Sequence, residues 1–233
     1  GENGAGKSTL IRLISGVIRP DAGTIRWQGG PVSLDSPREA IDLGIATIHQ
    51  ELEYCGHLTV AENLLLGEPW PRRRGGVDWA ALQAEARRRL LDSGFDVPVD
   101  CEFSRLTAVE KQEVAIATAL ARKAKLLVLD EPTASLAAPD VRRLIDHLKR
   151  VQATGVTILY VSHRLDEVLD LSTRVAVLRD GALVRVSPTD QLDGQALVCD
   201  MVGRPLQQVF PRTRSGDTGE LLLRVAGLTR AGL

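Results

Sequence analysis

Aromatic residues and methionine are scarce in this chain, and neither sign of charge is in excess. Aromatic side chains make up 3% of the 233 residues, Met occurs once, and 29 basic residues stand against 30 acidic ones. Such a balance gives no general attraction to nucleic acid or to anionic lipid. We therefore expect no nucleic acid partner.

Cysteine is also rare, and long apolar runs are missing. Cys55, Cys101 and Cys199 form no C-x-x-C pair, a spacing that favours free thiols over disulfides or a Cys/His metal site. No apolar run approaches the roughly 18 residues that a membrane-spanning helix needs, and no signal peptide is visible. The sequence predicts a globular chain that does not cross a membrane.

Glycine is concentrated where the chain begins, in the stretch GENGAGKSTL. Gly1, Gly6, Lys7 and Ser8 fit G-x-x-x-x-G-K-[ST], a loop whose backbone N–H groups surround phosphates. Lys7 would reach the β- and γ-phosphate oxygens, and Ser8 would hold Mg²⁺. The alternative is a glycine turn that merely starts a helix.

A helix is predicted directly after this loop, with its N-terminus directed at the same anion. Its apolar face is predicted to comprise Leu10, Ile11, Ile14, Val17 and Ile18. A phosphate loop ordinarily follows a buried strand, and none can precede Gly1. Because the chain also lacks an initiating Met, we interpret it as a fragment without its first strand.

Turn signals come next in the sequence. Residues 24–27 and 32–34, joined by QGGP, predict a β-hairpin. Ser36 and Glu39 form a capping-box pattern for a short helix that ends at Gly44.

A short apolar strand is predicted at residues 45–48. It places His49 and Gln50 at its carboxyl end, where open α/β sheets bind their ligands. Gln50 is therefore a candidate site residue.

The pattern from about residue 52 to 120 predicts a helical insert. Capping signals for three helices occur at Thr59 with Glu62, at Asp78, and at Thr107 with Glu110. The basic run at residues 72–74, beside Pro and Gly, is interpreted as a solvated loop without a function.

Two continuous apolar runs, at residues 126–130 and 156–162, are typical of strands buried on both faces. A helix predicted from Pro139 to about Gln152 connects them into a βαβ unit. Asp180 and Gly181 then give a strong hairpin signal. The composition of residues 204–219 indicates a linker, and the apolar run near residue 220 indicates that a second domain begins in 220–233.

Acidic residues and a histidine follow the two apolar runs. Asp130 ends the first run and would bind Mg²⁺, and Glu131 could polarise water as a general base. His163, after the second run, could reach the γ-phosphate. The alternatives are a helix-capping acidic pair before Pro132 and a histidine with only a structural role.

Together, GENGAGKST, Gln50, LTAVEKQ, LLVLDEPTASL and VSHRLDEV resemble the ATP-binding cassette of ABC transporters, in the same order, over residues 1–203. The resemblance implies an α/β P-loop NTPase with a mostly parallel central sheet, antiparallel hairpins and a helical subdomain. It also implies an ATPase that uses ATP and Mg²⁺.

Site residues carry over from this resemblance position by position. The Walker A loop that binds ATP would be Gly1, Glu2, Asn3, Gly4, Ala5, Gly6, Lys7, Ser8 and Thr9. The signature, which contacts a second nucleotide, would be Leu106, Thr107, Ala108, Val109 and Glu110. Metal binding would fall to Ser8, Gln50 and Asp130, and catalysis to Glu131, His163 and Gln50, while residues 134–137 would be the D-loop.

Finer motifs, LGIATIHQEL, LTVAENLLLG and MVGRPL, resemble the tandem-cassette ATPases of bacterial monosaccharide importers of the ribose, xylose and galactose type. This likeness implies a second cassette on the same chain, membrane permease subunits, and indirectly an extracytoplasmic sugar-binding protein. The chain would lie at the cytoplasmic face of the cell membrane, and residues 51–58 would contact the permease.

Two positions depart from the family pattern. The usual LSGGQ signature is LTAVE here, and Ala137 replaces the usual final Asp of the D-loop. We expect Val109 to obstruct a phosphate and the Thr107–Glu110 capping box to occupy the helix N–H groups, so the two ATP sites of a cassette pair would be unequal. The rival hypothesis is a cytosolic ABC-type ATPase of DNA repair or translation, but repair ATPases carry a long coiled coil where this chain has a short insert.

Overall fold

The computed structural model describes residues 4–50, 54–192 and 194–203. The strands are β1 (Ile25–Trp27), β2 (Gly30–Val32), β3 (Ile45–Ile48), β4 (Arg72–Arg73), β5 (Gly76–Val77), β6 (Leu126–Asp130), β7 (Thr157–Val161), β8 (Arg174–Arg179) and β9 (Ala182–Pro188). The helices are α1 (Lys7–Ile14), α2 (Pro37–Asp42), α3 (Val60–Leu64), α4 (Trp79–Asp92), α5 (Ala108–Ala121), α6 (Ala138–Ala153), α7 (Leu165–Leu171) and α8 (Gly194–Val202). The predicted linker and second-domain start, residues 204–233, lie outside these ranges.

A three-stranded parallel sheet in the order β3-β6-β7 forms the centre of the fold. β6 pairs along both edges, and its residues Leu127, Val128 and Leu129 are fully buried. α6 is the crossover between β6 and β7, so the predicted βαβ unit is confirmed. Three antiparallel hairpins, β1-β2, β4-β5 and β8-β9, complete the strand pairing within the described ranges.

β7 is less buried than its apolar sequence predicts. Thr157 is exposed and the other residues of the strand are only half-buried. The reason is that β7 pairs with β6 along one edge, while its other edge pairs with no strand of the described part. That edge faces β8 across a groove of about 360 Å³, which Leu159 and Val177 help to line.

Only part of the predicted apolar face of α1 is buried. Ile11 is 1% exposed, whereas Leu10, Val17 and Ile18 are exposed. The helix ends at Ile14, so Val17 and Ile18 lie beyond it. Gly16 follows with a φ of 70°, and a Cβ there would stand 2.4 Å from the carbonyl oxygen of Ser36. The left-handed backbone of Gly16 ends the helix, and the close approach to Ser36 requires glycine there, so the prediction is wrong for the last two residues.

Of the four predicted capping signals, three hold in full and one holds in part. The two threonine-glutamate capping boxes form at α3 and α5, and Asp78 caps α4. At α2 the box is only half formed, because Ser36 accepts from the Glu39 N–H while the Glu39 carboxylate accepts from the backbone N–H of Asp35.

The segment at residues 72–74, predicted as a loop, contains a small hairpin instead. β4 pairs with β5, and Arg74 and Gly75 make the turn with φ values of 50° and 86°. Arg72 and Arg73 are exposed, so the prediction of a solvated surface is confirmed while the absence of a strand is not.

The helical insert shares one hydrophobic core with the central sheet. The buried side chains of this core include Leu64 of α3, Leu90 of α4, Ile116 of α5, Leu129 of β6 and Leu144 of α6. Within the described ranges, no helix is long and apolar enough to span a bilayer. The three cysteines are free thiols, as predicted.

Candidate functional site

The glycine-rich loop turns sharply before α1. Gly4 and Gly6 have φ values of 81° and 97°, in the left-handed region that favours glycine, and Gly6 is the N-cap of α1. Ala5 is buried, and its carbonyl oxygen accepts a hydrogen bond from the N–H of Gly181 in the β8-β9 turn at 3.2 Å. Lys7, Ser8 and Thr9 open the helix, which is the arrangement a phosphate-binding loop requires. Gly1, Glu2 and Asn3 lie outside the described residues.

Asp130 is the last residue of β6, at the carboxyl end of the sheet, close to the start of α1. Burial raises the pKa of Asp130, and the neighbouring Glu131 raises it further, whereas His49 and Lys7 oppose the increase. Lys7 and His49 are therefore close enough to the Asp130 carboxylate to influence its pKa. A cation bound here would relieve the repulsion between Asp130 and Glu131.

Glu131 adopts a backbone conformation that is unusual for a non-glycine residue. Its φ is 47°, and such a conformation persists only where the surroundings enforce it. The N–H of Glu131 donates to the carbonyl oxygen of Val161 at 2.8 Å, and its own carbonyl oxygen accepts from the N–H of Ala134 at 3.2 Å. Strain held in this way is typical of functional sites.

The Glu131 side chain is directed at His163. Glu131 Oε2 lies 3.2 Å from His163 Nδ1, and the side chains are 18% and 60% exposed, respectively. The two residues follow neighbouring parallel strands, β6 and β7. The fold therefore brings these two predicted site residues together, and the histidine is accessible to a ligand.

Gln50 also lies at the carboxyl end of the sheet. It is exposed and stands two residues after β3, whose Ile48 pairs with Leu129 of β6. Gln50, Asp130, Glu131 and His163 therefore lie at the carboxyl ends of the neighbouring strands β3, β6 and β7. The sequence predicted each residue at or after the end of a strand, and the strand order brings them to one end of the sheet.

The predicted signature residues form the start of α5. Thr107 Oγ1 accepts from the N–H of Glu110, and the Glu110 carboxylate accepts from the N–H of Thr107 at 2.8 Å. Val109 is 3% exposed and Leu106 is 7% exposed, whereas Thr107 and Ala108 face solvent. The capping box is confirmed, but Val109 packs into the core, so its side chain is not placed to obstruct a phosphate.

The predicted D-loop connects Glu131 to α6. Leu136 is buried, and Ala137 is the N-cap of α6 without a side-chain hydrogen bond to the helix. The departure from Asp at this position therefore leaves the first N–H groups of α6 without a side-chain cap.

Two functional-site neighbours were not predicted from the sequence. Thr133 is 1% exposed and Glu167 is 7% exposed, and the Thr133 hydroxyl donates to the Glu167 carboxylate at 2.6 Å. The residues are 34 positions apart, so no local pattern could reveal the contact. The only sequence signal was their position close to Glu131 and His163.

The donor set suits a magnesium ion that is shared with a phosphate. No cluster of three or more His, Cys, Asp or Glu side chains that could hold a metal occurs in the described ranges. Mg²⁺ usually takes only one or two protein ligands beside phosphate oxygens and waters. A hydroxyl such as that of Ser8 and a carboxylate such as that of Asp130 are oxygen donors of this kind.

A glycine-rich loop at a helix N-terminus, beside acidic residues at the carboxyl ends of parallel strands, defines a nucleotide-binding P-loop protein. Comparisons with known proteins identify the family within this class. A family model described as ABC transporter matches residues 1–134. The chain is 44% identical over 233 residues to ribose import ATP-binding protein RbsA 2 of Rubrobacter xylanophilus. It is 43% identical over 232 residues to a putative ribose/galactose/methyl galactoside import ATP-binding protein of Burkholderia ambifaria.

Solved structures agree with these sequence relatives. An ATP-binding cassette of an ABC transporter in its ADP conformation superposes with a TM-score of 0.73 at 26% identity, covering 88% of this chain and 86% of that one. A nucleotide-free cassette gives a TM-score of 0.70 at 26% identity, with 88% and 83% covered. The chain belongs to the ATP-binding cassette family of ABC transporters. It spans about 45% of the length of the two curated relatives.

Proposed function

We propose that the chain is an ATP-hydrolysing subunit of an ABC importer that couples ATP binding and hydrolysis to the uptake of a monosaccharide through a separate permease. The observation that carries this proposal is the 3.2 Å contact between Glu131 and His163. This contact lies at the carboxyl end of the sheet, beside Asp130 and the phosphate loop. The printed names of the relatives, which are ribose or galactose import ATP-binding proteins, support the sugar class.

Each predicted site residue at the carboxyl end of the sheet and in the phosphate loop has a proposed role. The Walker A residues 1–9 bind the ATP phosphates, with Lys7 on the β- and γ-phosphates. Ser8, Asp130 and Gln50 hold Mg²⁺, which supplies charge neutralisation at the phosphates when it is bound. Glu131 accepts a proton from the attacking water, and His163 contacts the γ-phosphate.

A second groove, separate from the one between β7 and β8, supports the proposal that the chain contacts the permease. It has a volume of about 270 Å³ and is lined by β3, Tyr54 and the α5 residues Ala115, Thr118 and Ala119. Tyr54 stacks on Phe103 with ring centroids 4.2 Å apart, and the buried hydroxyl of Thr47 has no hydrogen-bond partner within the described residues. We propose that a cytoplasmic helix of the permease binds here, beside Gln50.

Cys55 offers a direct test of this contact. It is half-buried and lies next to Tyr54 at the groove. A bifunctional thiol reagent should link Cys55 to a cysteine scanned along the cytoplasmic loops of the permease in at least one nucleotide state. No adduct in any state would contradict the docking proposal.

Further partners follow from the family architecture. We propose a second cassette on the same chain, an indirect link to an extracytoplasmic sugar-binding protein, and a peripheral position at the cytoplasmic face of the membrane. In a cassette pair, the signature segment at residues 106–110 would face the partner cassette's nucleotide through its exposed residues Thr107 and Ala108, whereas Leu106 and Val109 pack into the core. Because the Thr107–Glu110 box already satisfies helix N–H groups, this signature should be the weaker of the two.

The rival function in DNA repair or translation gains no support. Within the described part of the insert, the longest helix before α5 is α4, with 14 residues. A long coiled coil needs many more residues than this.

A measurement of sugar uptake tests the proposed function. Cells lacking the complete transporter gene are complemented with the wild-type gene or with Glu131→Gln, and uptake of labelled ribose, xylose and galactose is measured. We expect the wild-type gene to restore uptake of one of these sugars and Glu131→Gln to abolish it. Unchanged uptake of all three, with an active ATPase, would overturn the sugar-import proposal.

A further inference from the structure

Glu167 is a buried carboxylate that the roles above leave unused. It lies in the first turn of α7 and is 7% exposed. Its Oε2 accepts hydrogen bonds from Thr133 Oγ1 at 2.6 Å, from the Tyr160 hydroxyl at 2.6 Å and from Ser162 Oγ at 3.4 Å. Its Oε1 accepts from Arg164 Nη1 at 2.8 Å. Four donors on one buried carboxylate form a dense polar network.

The donors belong to two segments that the reaction needs. Thr133 lies two residues after Glu131, on the segment that leaves β6. Ser162 and Arg164 are the residues on either side of His163, and the Ser162 hydroxyl also accepts from the N–H of Arg164 at 2.9 Å. Glu167 therefore bonds to the segment of the proposed base and to both neighbours of the proposed γ-phosphate contact.

These anchors matter because the positions of Glu131 and His163 depend on the backbone of their segments. The His163 side chain is 60% exposed, so the backbone on either side of it largely decides where the imidazole lies. Glu131 has a strained φ of 47°, which the neighbouring structure must maintain. A group that binds both segments would set their separation.

The charge of Glu167 is maintained by the same donors. Burial raises the pKa of Glu167, but the hydrogen bonds from Thr133, Tyr160 and Arg164 and the charge of Arg164 outweigh it, so the pKa lies below its ordinary value. The carboxylate is therefore an anion at neutral pH, and its hydrogen bonds are of the stronger, charge-assisted kind.

We propose that Glu167 is a positioning residue, which fixes the approach of Glu131 to His163 by binding Thr133 on one segment and Ser162 and Arg164 on the other. The proposal rests on the proposed ATPase function. It adds a residue that touches neither nucleotide nor metal and acts through the catalytic pair.

The test uses the complete protein assembled with its partners and compares two hydroxyl deletions. Thr133→Val removes the bond to the Glu131 segment. Tyr160→Phe is the matched control, because the hydroxyl it removes donates to the same Oε2 at the same distance of 2.6 Å but stands within β7 rather than beside the pair. Thr133→Ser retains a hydroxyl and serves as the rescue variant.

We expect Thr133→Val to lower kcat at least about tenfold, since small misplacements of reacting groups are costly, with KM for ATP changed by less than about twofold. Thr133→Ser should restore most of kcat, and Tyr160→Phe should leave kcat within about twofold of wild type. Equal effects of Thr133→Val and Tyr160→Phe on kcat, or no effect of Thr133→Val, would overturn the positioning role.

Amide hydrogen exchange gives a second readout that does not need hydrolysis. The N–H groups of Glu131 and Ala134 should exchange about fivefold faster in Thr133→Val and at the wild-type rate in Tyr160→Phe. Unchanged exchange at both amides in Thr133→Val would contradict the proposal. A wild-type protein without ATPase activity, or a fully active Glu131→Gln, would instead refute the proposed function, and the exchange rates would still decide the role of Glu167.

Discussion

Asp130 and Glu131 are neighbours in the sequence, yet their surroundings assign them different tasks. Asp130 ends a paired strand, in range of the charges of Lys7 and His49. Glu131 has left the strand, and its strained backbone turns its carboxylate towards His163. An acidic pair after an apolar run could also have been a helix cap, and only the position of His163 decides between the two interpretations.

Glu131→Gln tests the base directly. The amide has nearly the same shape but cannot accept a proton from water, so kcat for ATP hydrolysis in the complete protein should fall by about 10²-fold or more. ATP binding, measured by nucleotide titration, should be retained. Asp166→Asn is the control, because Asp166 is an exposed acidic residue near His163, and its turnover should match wild type. Near-normal turnover of Glu131→Gln would remove Glu131 from the mechanism.

Val109 shows where reasoning from a family pattern fails at the level of one side chain. The sequence placed it at a position usually held by glycine, which suggested an obstruction at the surface. In the fold it is 3% exposed and packs with the core that the insert shares with β6. The helix rotation at the start of α5 decides this, and it depends on tertiary packing that the motif does not encode.

Val109→Gly should therefore destabilise the protein. Loss of a buried branched side chain and the low helix propensity of glycine together should lower the free energy of unfolding by about 2–4 kcal/mol. Ala108→Gly, on the exposed side of the same helical turn, should cost about 1 kcal/mol or less. Urea denaturation followed by circular dichroism compares the two. Equal costs would show that the Val109 side chain contributes no packing.

At the level of elements, the sequence predicted what local chemistry determines. The strands at residues 45–48 and 126–130 and the capping boxes at α3 and α5 all form as expected. The β4-β5 hairpin was missed because strands of two residues are too short for any periodicity to show. The network around Glu167 was missed for another reason, since it joins Thr133 to residues 160–167, which are about 30 positions away along the chain.

The start of α6 offers a stabilising change. Ala137 is in the N-cap position with extended backbone and no side-chain hydrogen bond to the helix. Ala137→Asp would supply a side-chain acceptor at the N-cap, which Ala137 lacks, and a favourable charge at the helix N-terminus, so it should stabilise the protein by about 1 kcal/mol. Ala138→Asp is the control, because the first helical position benefits from the charge but cannot cap. Thermal unfolding should show the larger increase in Tm for Ala137→Asp, and a Tm at or below that of wild type would contradict the missing cap.

Across the whole molecule, the helix that begins with the signature is tied to the helix that follows the D-loop. Glu113 of α5 is fully buried, and its Oε1 lies 2.8 Å from Arg143 Nε and 3.1 Å from His147 Nδ1, both on α6. Burial raises the pKa of Glu113, and Arg143 opposes the increase. Phe95 contacts the His147 ring, with centroids 5.0 Å apart. No sequence pattern indicated this cluster, because its members come from distant parts of the chain.

His147 makes the stability of the fold depend on pH. Burial lowers the pKa of His147 from 6.5 to about 4, and the charges of Arg150 and Arg143 contribute, while Asp146 opposes them. Because the folded pKa lies below the unfolded value, the unfolded chain binds more protons between these two pH values. The contribution of His147 is therefore fully present above about pH 6.5 and is lost as the pH falls towards about pH 4.

We predict that lowering the pH from about 8 to about 5 removes about 2 kcal/mol of unfolding free energy through His147 alone. Urea denaturation at the two pH values would be compared for wild type and His147→Gln, which retains a polar side chain but does not titrate. Glu113 is present in both proteins, so most of its own titration cancels in the comparison. The stability difference between wild type and variant should shift against the wild type at low pH. If the two proteins lose equal stability, folding does not lower the pKa of His147. If the wild type gains relative to the variant on acidification, His147 is protonated in the folded protein and holds α5 to α6 as a charged pair with Glu113.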